Sequence, residues 1–377
     1  MSTDTAVGDA ARPADDLDDG MELSCIEGGG VLERFETAFA EAAGAPFALA
    51  LSSGTAALHT ALLACDLGPG DEVIVSPYGW GQAVAAVLLV GAVPVFADID
   101  PVTGNLEPAA VAAVVSSATA AVLVTHVFGA PADMRALREL CTRQGLWLLA
   151  DAAQGLGARC GGRPVGALAD ISCYSLGLGK AVSVGEGGMA VTADVDLLER
   201  MLLVSQHPLR GLREIESPLL RASVSELSLS YRLSRPACEL GLAALRRLDA
   251  KIAARRAVAE RLRRRIATLE GLALTGECAG DRHAYHGLVL RAAAGPADTD
   301  QRSGAIAALA AQGIQAARGP VRRPIHLRPP FAEATGPRWM PRALLPHARH
   351  PSWRTGSCPA AERRCAAEEL VVAGADL

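Results

Sequence analysis

Between Phe47 and Ala150 the chain alternates short, unbroken apolar runs with segments of helical pattern, and no other feature constrains its fold as tightly. Ala48–Ser52, Glu72–Ser76, Val93–Ala97, Ala121–Thr125 and Trp147–Ala150 read as strands. Ala56–Ala64, Ala83–Val90, Pro108–Val115 and Asp133–Gln144 read as helices between and beside them. A strand that is apolar along its whole length must be covered on both faces, which is the condition of a mainly parallel sheet between helices. Turn residues fall at the joints, in Gly68-Pro69-Gly70-Asp71 and from Asp100-Pro101 to Gly104-Asn105. In α/β sheets of this kind ligands bind beyond the carboxyl ends of the strands. The positions to inspect are therefore Ser53, Trp80, His126 and Asp151.

Past Gly155 the pattern changes. Cys160–Val165, with Gly161-Gly162 inside it, predicts a hairpin; Ile171–Ser175 and Met189–Thr192 predict two further strands. Residues 205–230 read as an irregular, function-bearing loop. Pro236 opens what reads as one long helix to about Leu269, with Leu240, Leu245, Leu248 and Ile252 on one face. Ala284–Arg291 then reads as a strand and Asp298–Gln312 as a helix. With 377 residues there is room for a large domain and a smaller one. The expected division is a disordered, acidic tail over residues 1–24, a large domain over 25–245 and a small α/β domain over 246–377.

Charge narrows the function. A net charge of −5 argues against a protein built around nucleic acid or an anionic membrane surface. The basic run Arg255–Arg265 lacks the interleaved aromatics of a nucleic-acid platform and is broken by Glu260, so it reads as a solvated helix face. Gly79–Ala97 and Pro108–Val127 carry no Asp, Glu, Lys or Arg, but Gly91, Pro94 and Ser116-Ser117 punctuate them as helix followed by buried strand rather than a membrane span. Nine scattered cysteines, no C-x-x-C and no zinc spacing predict reduced thiols, no metal and a cytoplasmic chain.

Of the 36 Lys and Arg residues 34 are Arg, and the two lysines are Lys180 and Lys251. Arginine keeps its proton at any usable pH, so side-chain amine chemistry has two candidates. Lys180 ends Ser175-Leu176-Gly177-Leu178-Gly179-Lys180, ahead of Gly185-Glu186-Gly187-Gly188, with no charge between it and Asp170. A partly desolvated lysine loses proton affinity and becomes a usable amine. Lys251 sits between Asp249 and Arg255-Arg256 and reads as solvated. Ser52-Ser53-Gly54-Thr55-Ala56-Ala57-Leu58 follows a strand and opens a helix, where free N–H groups and the helix dipole attract an anion. Asp151, in Asp151-Ala152-Ala153-Gln154 at a strand end, can hold a proton on a heteroaromatic nitrogen. Each has a plainer reading as well: Ser53, Thr55 and Asp151 as helix caps, Lys180 as a loop lysine, Trp80 as core packing. Together an anion cradle, a ring-nitrogen carboxylate and an amine are what pyridoxal 5′-phosphate requires.

With these residues in place the chain resembles the DegT/DnrJ/StrS-type sugar aminotransferases, pyridoxal-phosphate enzymes of the aspartate aminotransferase fold. The resemblance runs from about Leu32 to Ala367 and also rests on Gly70-Asp71-Glu72-Val73, Gly91-Ala92-Val93-Pro94-Val95-Phe96, His126-Val127-Phe128-Gly129, Tyr231-Arg232 and Pro324-Ile325-His326-Leu327. It implies a large domain with a mainly parallel sheet of the seven-stranded type. By the same resemblance Lys180 forms the Schiff base and moves protons, and Asp151 pairs with the pyridine nitrogen. Gln154 lies near the ring hydroxyl, Trp80 stacks on the ring, and Gly54, Thr55 and Ser175 bind phosphate. It implies a homodimer with shared active sites, in which the residue before Tyr-Arg reaches the neighbouring cofactor phosphate. That residue is usually Asn and here is Ser230. The implied activity is transfer of an amino group from glutamate or glutamine to a keto-sugar or keto-cyclitol, as in aminosugar antibiotic biosynthesis. Rival readings are a pyridoxal-phosphate sugar dehydratase or other non-transaminating pyridoxal-phosphate enzyme, and a non-catalytic cofactor-binding regulator. Some dehydratases of this family carry His at the lysine position, and Lys180 speaks against that route.

Overall fold

Each apolar run of the first half becomes a strand. The computed structural model describes residues 23–276, 280–292, 302–329, 331 and 350–372, so the expected tail lies outside the described residues except for its last two positions. Those are already tied down, since the Leu23 carbonyl accepts the Arg235 N–H at 3.1 Å. An amphipathic helix α1 (Gly30–Ala43) buries Leu32, Phe35 and Phe39 before the sheet begins. Then β1 (Phe47–Leu51), β2 (Glu72–Val75), β3 (Val93–Phe96), β4 (Thr119–Thr125) and β5 (Trp147–Asp151) alternate with α2 (Gly54–Ala64), α3 (Gln82–Leu89), α4 (Pro108–Val114) and α5 (Met134–Gln144). The hairpin is β6 (Arg159–Cys160) with β7 (Arg163–Pro164), and β8 (Ile171–Ser175) and β9 (Gly188–Thr192) complete a seven-stranded sheet.

Strand order is β1-β9-β8-β5-β4-β2-β3. Only β9 runs against its neighbours; the other pairings are parallel. Because the side chains alternate, each strand serves two cores. Val73, Val75, Leu123 and Leu149 pack with α2 and α3. Ile74, Val122, Val124, Leu148 and Ala150 pack on the other face with Val111 of α4 and Leu137 and Leu140 of α5. Truncating such a fully buried leucine to alanine costs about 2–5 kcal/mol. The register places Thr125 beside Asp151 and Asp151 beside Cys173, while Gly188 pairs with both Ser175 and Leu51. Asp151, Ser175 and the turn after Leu51 thus meet along one edge of the sheet.

The second half departs from its sequence reading in three places, and a fourth reading lies partly outside the described residues. Residues 195–222 hold three helices, α6 (Val195–Ser205), α7 (Pro208–Glu214) and α8 (Pro218–Ala222), so 205–230 is not wholly irregular. Prolines at the starts of α7 and α8 supply the helical φ. Arg210 of α7 is buried on Glu36 at 2.8 Å, and Glu36 also accepts the Ala50 N–H at 2.8 Å, locking α7, α1 and β1 together. The predicted long helix is two, α9 (Arg235–Leu245) and α10 (Leu248–Ile266), broken at Arg246-Arg247. Leu240 is 57% exposed while Leu248 and Ile252 are buried, so the four residues do not share a face. The strand read from Ala284 begins only at Leu288, because the Ala284 and His286 N–H groups go to the Gly129 and Phe128 carbonyls. The helix read from Asp298 is described from Arg302; residues 298–301 lie outside the described residues.

A second, four-stranded antiparallel sheet has the order β10 (Leu272–Leu274), β11 (Leu288–Ala292), β13 (Glu369–Val372), β12 (Ala316–Arg318). It is covered by the last turns of α10 and by α11 (Arg302–Ala311) through Leu262, Ile266 and Leu309. The C-terminal segment returns to the large sheet: α12 (Pro359–Arg363) gives the Ala360 and Ala361 N–H groups to Asp98, and the Trp353 indole donates to the Pro94 carbonyl. No described helix is long and apolar enough to cross a membrane.

Candidate active site

A cavity of about 420 Å³ opens at the carboxyl edge of the large sheet, and its wall includes Ser53, Gly54, Thr55, Trp80, Asp151, Gln154, Ser175 and Lys180. Seven of these come from the three motifs and their flanks; Trp80 comes from the turn before α3.

The first wall is the start of α2. Ser53 is its N-cap, with extended backbone, and its hydroxyl accepts the Ala56 N–H at 3.0 Å while its carbonyl accepts that of Ala57. The remaining first-turn amides, those of Gly54 and Thr55, have no acceptor within the helix, as at any helix start. Glycine at 54 is required by contact: a Cβ there would lie 2.9 Å from the Ser175 Cβ. Gly188 is held more tightly, since a Cβ would lie 2.0 Å from the Ser53 carbonyl oxygen. Strand β9 and the cap are therefore in backbone contact, and the Ser175 hydroxyl is brought beside the helix start.

The second wall is Asp151. It is buried at the end of β5, and one carboxylate oxygen accepts the Ala153 N–H at 3.0 Å. Burial raises its proton affinity, against the Ala153 hydrogen bond and the Lys180 charge. Gln154 accepts the Phe128 N–H at 2.5 Å through Oε1, which fixes its amide beside the cavity. Phe128 in turn meets the Trp80 ring edge to face at 6.5 Å, leaving Trp80 51% exposed at the rim.

The third wall is the loop after β8. Lys180 is half-buried, and its proton affinity is lowered by burial, raised by Asp151 and lowered again by Arg255. His286 also lines the cavity. Burial and the Lys180, Arg255 and Lys251 cations push its pKa down to about 4, so it stands neutral at physiological pH. Gln82, Leu178 and Glu186 complete the wall without having been singled out; Glu186 lay within a motif quoted for its glycines.

Two expectations fall elsewhere. His126 is fully buried away from the lining; its Nδ1 accepts the Ala132 N–H at 3.1 Å and its Nε2 has no partner among the described residues. Ser230 is exposed and accepts a hydrogen bond from Arg232 at 3.3 Å, outside the cavity of its own chain. Lys251, read as solvated, is exposed, and its ammonium also donates to the Lys180 carbonyl at 2.8 Å and the Ala181 carbonyl at 3.0 Å. Among the described residues no group of three or more His, Cys, Asp or Glu is arranged to hold a metal.

The donor set fits a phosphorylated pyridine aldehyde. Two free helix-start amides and a hydroxyl suit a phosphate, a buried carboxylate suits a protonated ring nitrogen, and a burial-weakened amine suits a carbonyl carbon.

The chain is also similar to known proteins. The chain matches the DegT/DnrJ/EryC1/StrS aminotransferase family over residues 12–361. It is 34% identical over 310 residues to GDP-perosamine synthase of Caulobacter vibrioides, spanning 81% of this chain and 79% of that protein. It is 45% identical over 168 residues to an L-glutamine:2-deoxy-scyllo-inosose aminotransferase of Streptomyces fradiae, spanning 45% of this chain and 40% of that one. The structure of DesV from S. venezuelae in complex with a ketimine intermediate superposes with a TM-score of 0.74 at 31% identity, covering 91% of this chain and 84% of that one.

Proposed function

The chain belongs to the DegT/DnrJ/EryC1/StrS aminotransferase family, and from that footing we propose that it moves an amino group from glutamine or glutamate to a keto-sugar or keto-cyclitol. It is a pyridoxal-phosphate-dependent aminotransferase. The relatives bracket the acceptor class, one a GDP-sugar enzyme and another acting on an inosose by name. The observation that carries the site assignment is the convergence of a buried carboxylate and a burial-weakened amine on one cavity whose remaining wall is a helix start.

Bound there, the cofactor supplies an aldehyde that accepts nitrogen and a protonated ring that draws electrons from the carbon losing its proton. Asp151 holds the proton on the ring nitrogen, because a buried carboxylate binds a cation far better than bulk water would allow. The Gly54 and Thr55 amides and the Ser175 hydroxyl hold the phosphate. Trp80 covers one face of the ring, and Gln154 orients its hydroxyl edge. The Lys180 amine, only half exposed, carries a proton from the donor carbon to the cofactor carbon and back in the second half-reaction. Burial lowers this amine's proton affinity, the direction a general base requires. We also propose a homodimer in which Ser230 reaches the neighbouring phosphate, shorter than the usual Asn but still a donor. The division into a large unit over 25–245 and a small one over 246–377 belongs to the same proposal. The second sheet, drawn wholly from residues 272–372, supports it, while the contacts of residues 352–361 with the large sheet mean the last segment is shared.

Two lysines make the test simple. Protein incubated with pyridoxal 5′-phosphate and reduced with borohydride should carry the label on the peptide containing Lys180. Label on Lys251, or none, overturns the site assignment. Added glutamine or glutamate should then bleach the bound cofactor's visible absorbance in unreduced protein and release the oxo acid; absorbance that persists with every donor would favour the non-catalytic reading.

A further inference from the structure

Both lysines of this chain meet at one loop. Lys251 and Arg255 stand one turn apart on α10 and so share a face. Lys251 Nζ donates to the carbonyls of Lys180 and Ala181, at 2.8 and 3.0 Å, and Arg255 Nη2 donates to that of Gly179 at 3.2 Å. Three successive carbonyls around Lys180 are therefore held by two cations from the helix that leads to the second sheet. The loop is seated by Leu176, Ala181, Val182 and Val184 in the core and by a Gly177–Gly185 bridge, and its exposed turn at 178–180 has few backbone ties. The Lys180 N–H reaches the Gly177 carbonyl at 3.3 Å and the Val184 N–H reaches that of Leu176 at 2.9 Å. Gly177, Gly179 and Gly185 leave its backbone free to adopt many conformations. Leu178, two residues before the lysine, is 90% exposed and anchors nothing.

We propose that Lys251, aided by Arg255, is a positioning residue that clamps the backbone of the Lys180 loop and so holds the Lys180 amine at the cavity wall. This rests on the reading of Lys180 as the amine that takes the cofactor. Charge-assisted hydrogen bonds to carbonyls are about twice as strong as neutral ones. An ammonium with three donors can serve two adjacent carbonyls at once, whereas a planar guanidinium is built for a forked acceptor. This gives a physical reason for one of two lysines to stand at position 251 in a chain that otherwise uses arginine. The clamp also sets charge. The groups at the Lys180 amine are Asp151, which favours its protonated form, Arg255, which opposes it, and, on the same cavity wall, Glu186 and the neutral His286, with Lys251 on the loop backbone. Losing the clamp lets the amine swing toward water, and that change raises its proton affinity.

The test uses the full chain without added cofactor. Lysine reactivity toward trace acetic anhydride across pH, read by peptide mass spectrometry, titrates Lys180 directly; hydrogen exchange of peptides covering 177–184 reports the loop. In Lys251→Met the Lys180 midpoint should rise and these amides should exchange faster, while helix content is unchanged. A higher midpoint would slow capture of pyridoxal 5′-phosphate at pH values below it, by up to about tenfold per pH unit of rise, since the free-amine fraction falls by that factor. Lys251→Arg, which keeps the charge but whose planar guanidinium does not bridge the two adjacent carbonyls as the ammonium does, should recover both effects only in part. Arg255→Met should loosen the same peptides through Gly179, and it stands in if Lys251→Met fails to fold. Wild-type titration and exchange in both Met variants would overturn the clamp while leaving Lys180 as the cofactor lysine. Borohydride labelling of Lys251 in the wild type would overturn both.

Discussion

Burial decides the behaviour of single residues in this protein. Asp151→Asn keeps the shape of the site and the Ala153 contact but removes the charge that favours a protonated ring. Removing one preorganised charge of this kind lowers turnover by about 10²–10³-fold, so the variant should still bind pyridoxal 5′-phosphate, read by absorbance, yet lose most steady-state rate; a near-normal rate would remove Asp151 from that role. His126 gives the pH dependence at this scale. Burial pushes its pKa from the ordinary 6.5 down to about 4. The unfolded chain takes up a proton there below pH 6.5, and the folded chain refuses it until about pH 4. Its contribution is therefore full above pH 6.5 and is lost as pH falls through that window, by up to about 3 kcal/mol. Urea denaturation of wild type and His126→Asn from pH 7 to pH 4 should show the wild type losing stability relative to the variant by an amount of this order. Parallel curves would mean that another group carries the acid sensitivity.

At the scale of elements the contact between β9 and the α2 cap is the one with least slack. A methyl added at Gly188 would lie 2.0 Å from the Ser53 oxygen and 2.8 Å from the Gly54 nitrogen, both backbone atoms that cannot rotate away. Gly188→Ala must displace either the strand or the helix start. A protein that still folds should therefore show a weakened affinity for pyridoxal 5′-phosphate and for inorganic phosphate competing with it, measured by equilibrium dialysis, with a larger loss than Ser53→Ala. The latter removes only a cap worth about 1 kcal/mol. Equal affinities for Gly188→Ala and wild type would show that this contact does not set the phosphate seat. The same elements explain what the sequence disclosed. Strands β1 to β5 were legible because their interiors are runs of apolar residues covered on both faces, and the carboxyl ends of β5 and β1 marked Asp151 and the cap at Ser53 without further information. The break between α9 and α10 was not, because Arg246 and Arg247 are ordinary helix residues and only tertiary packing turns the chain there. Helices α7 and α8 were hidden for a similar reason: Arg210 is buried through Glu36, a partner 174 residues away. The Lys251 contact spans 71 residues, and only the scarcity of lysine hinted at it.

For the molecule as a whole, the cavity is furnished by one chain on three sides, while Ser230 stands exposed outside it. If the sites are shared, Ser230 of one copy belongs to the cavity of the other, and damage at positions 180 and 230 lies in different sites of a mixed dimer. Lys180→Ala lacks the amine, and Ser230→Arg places a long side chain where the partner's phosphate should sit, so each variant alone should be inactive. A mixed dimer has one cavity with both lesions and one with neither. Random mixing makes half the dimers mixed, with one good cavity of two, so recombined subunits should recover about one quarter of wild-type activity. Sedimentation velocity must show dimers in all three samples. Recovery near zero, with mixed dimers demonstrated by differential tagging, would mean that each chain completes its own site. In that case Ser230→Asn should also leave cofactor affinity unchanged, whereas in shared sites the longer amide should tighten it by about tenfold, the worth of one improved hydrogen bond to a charged group.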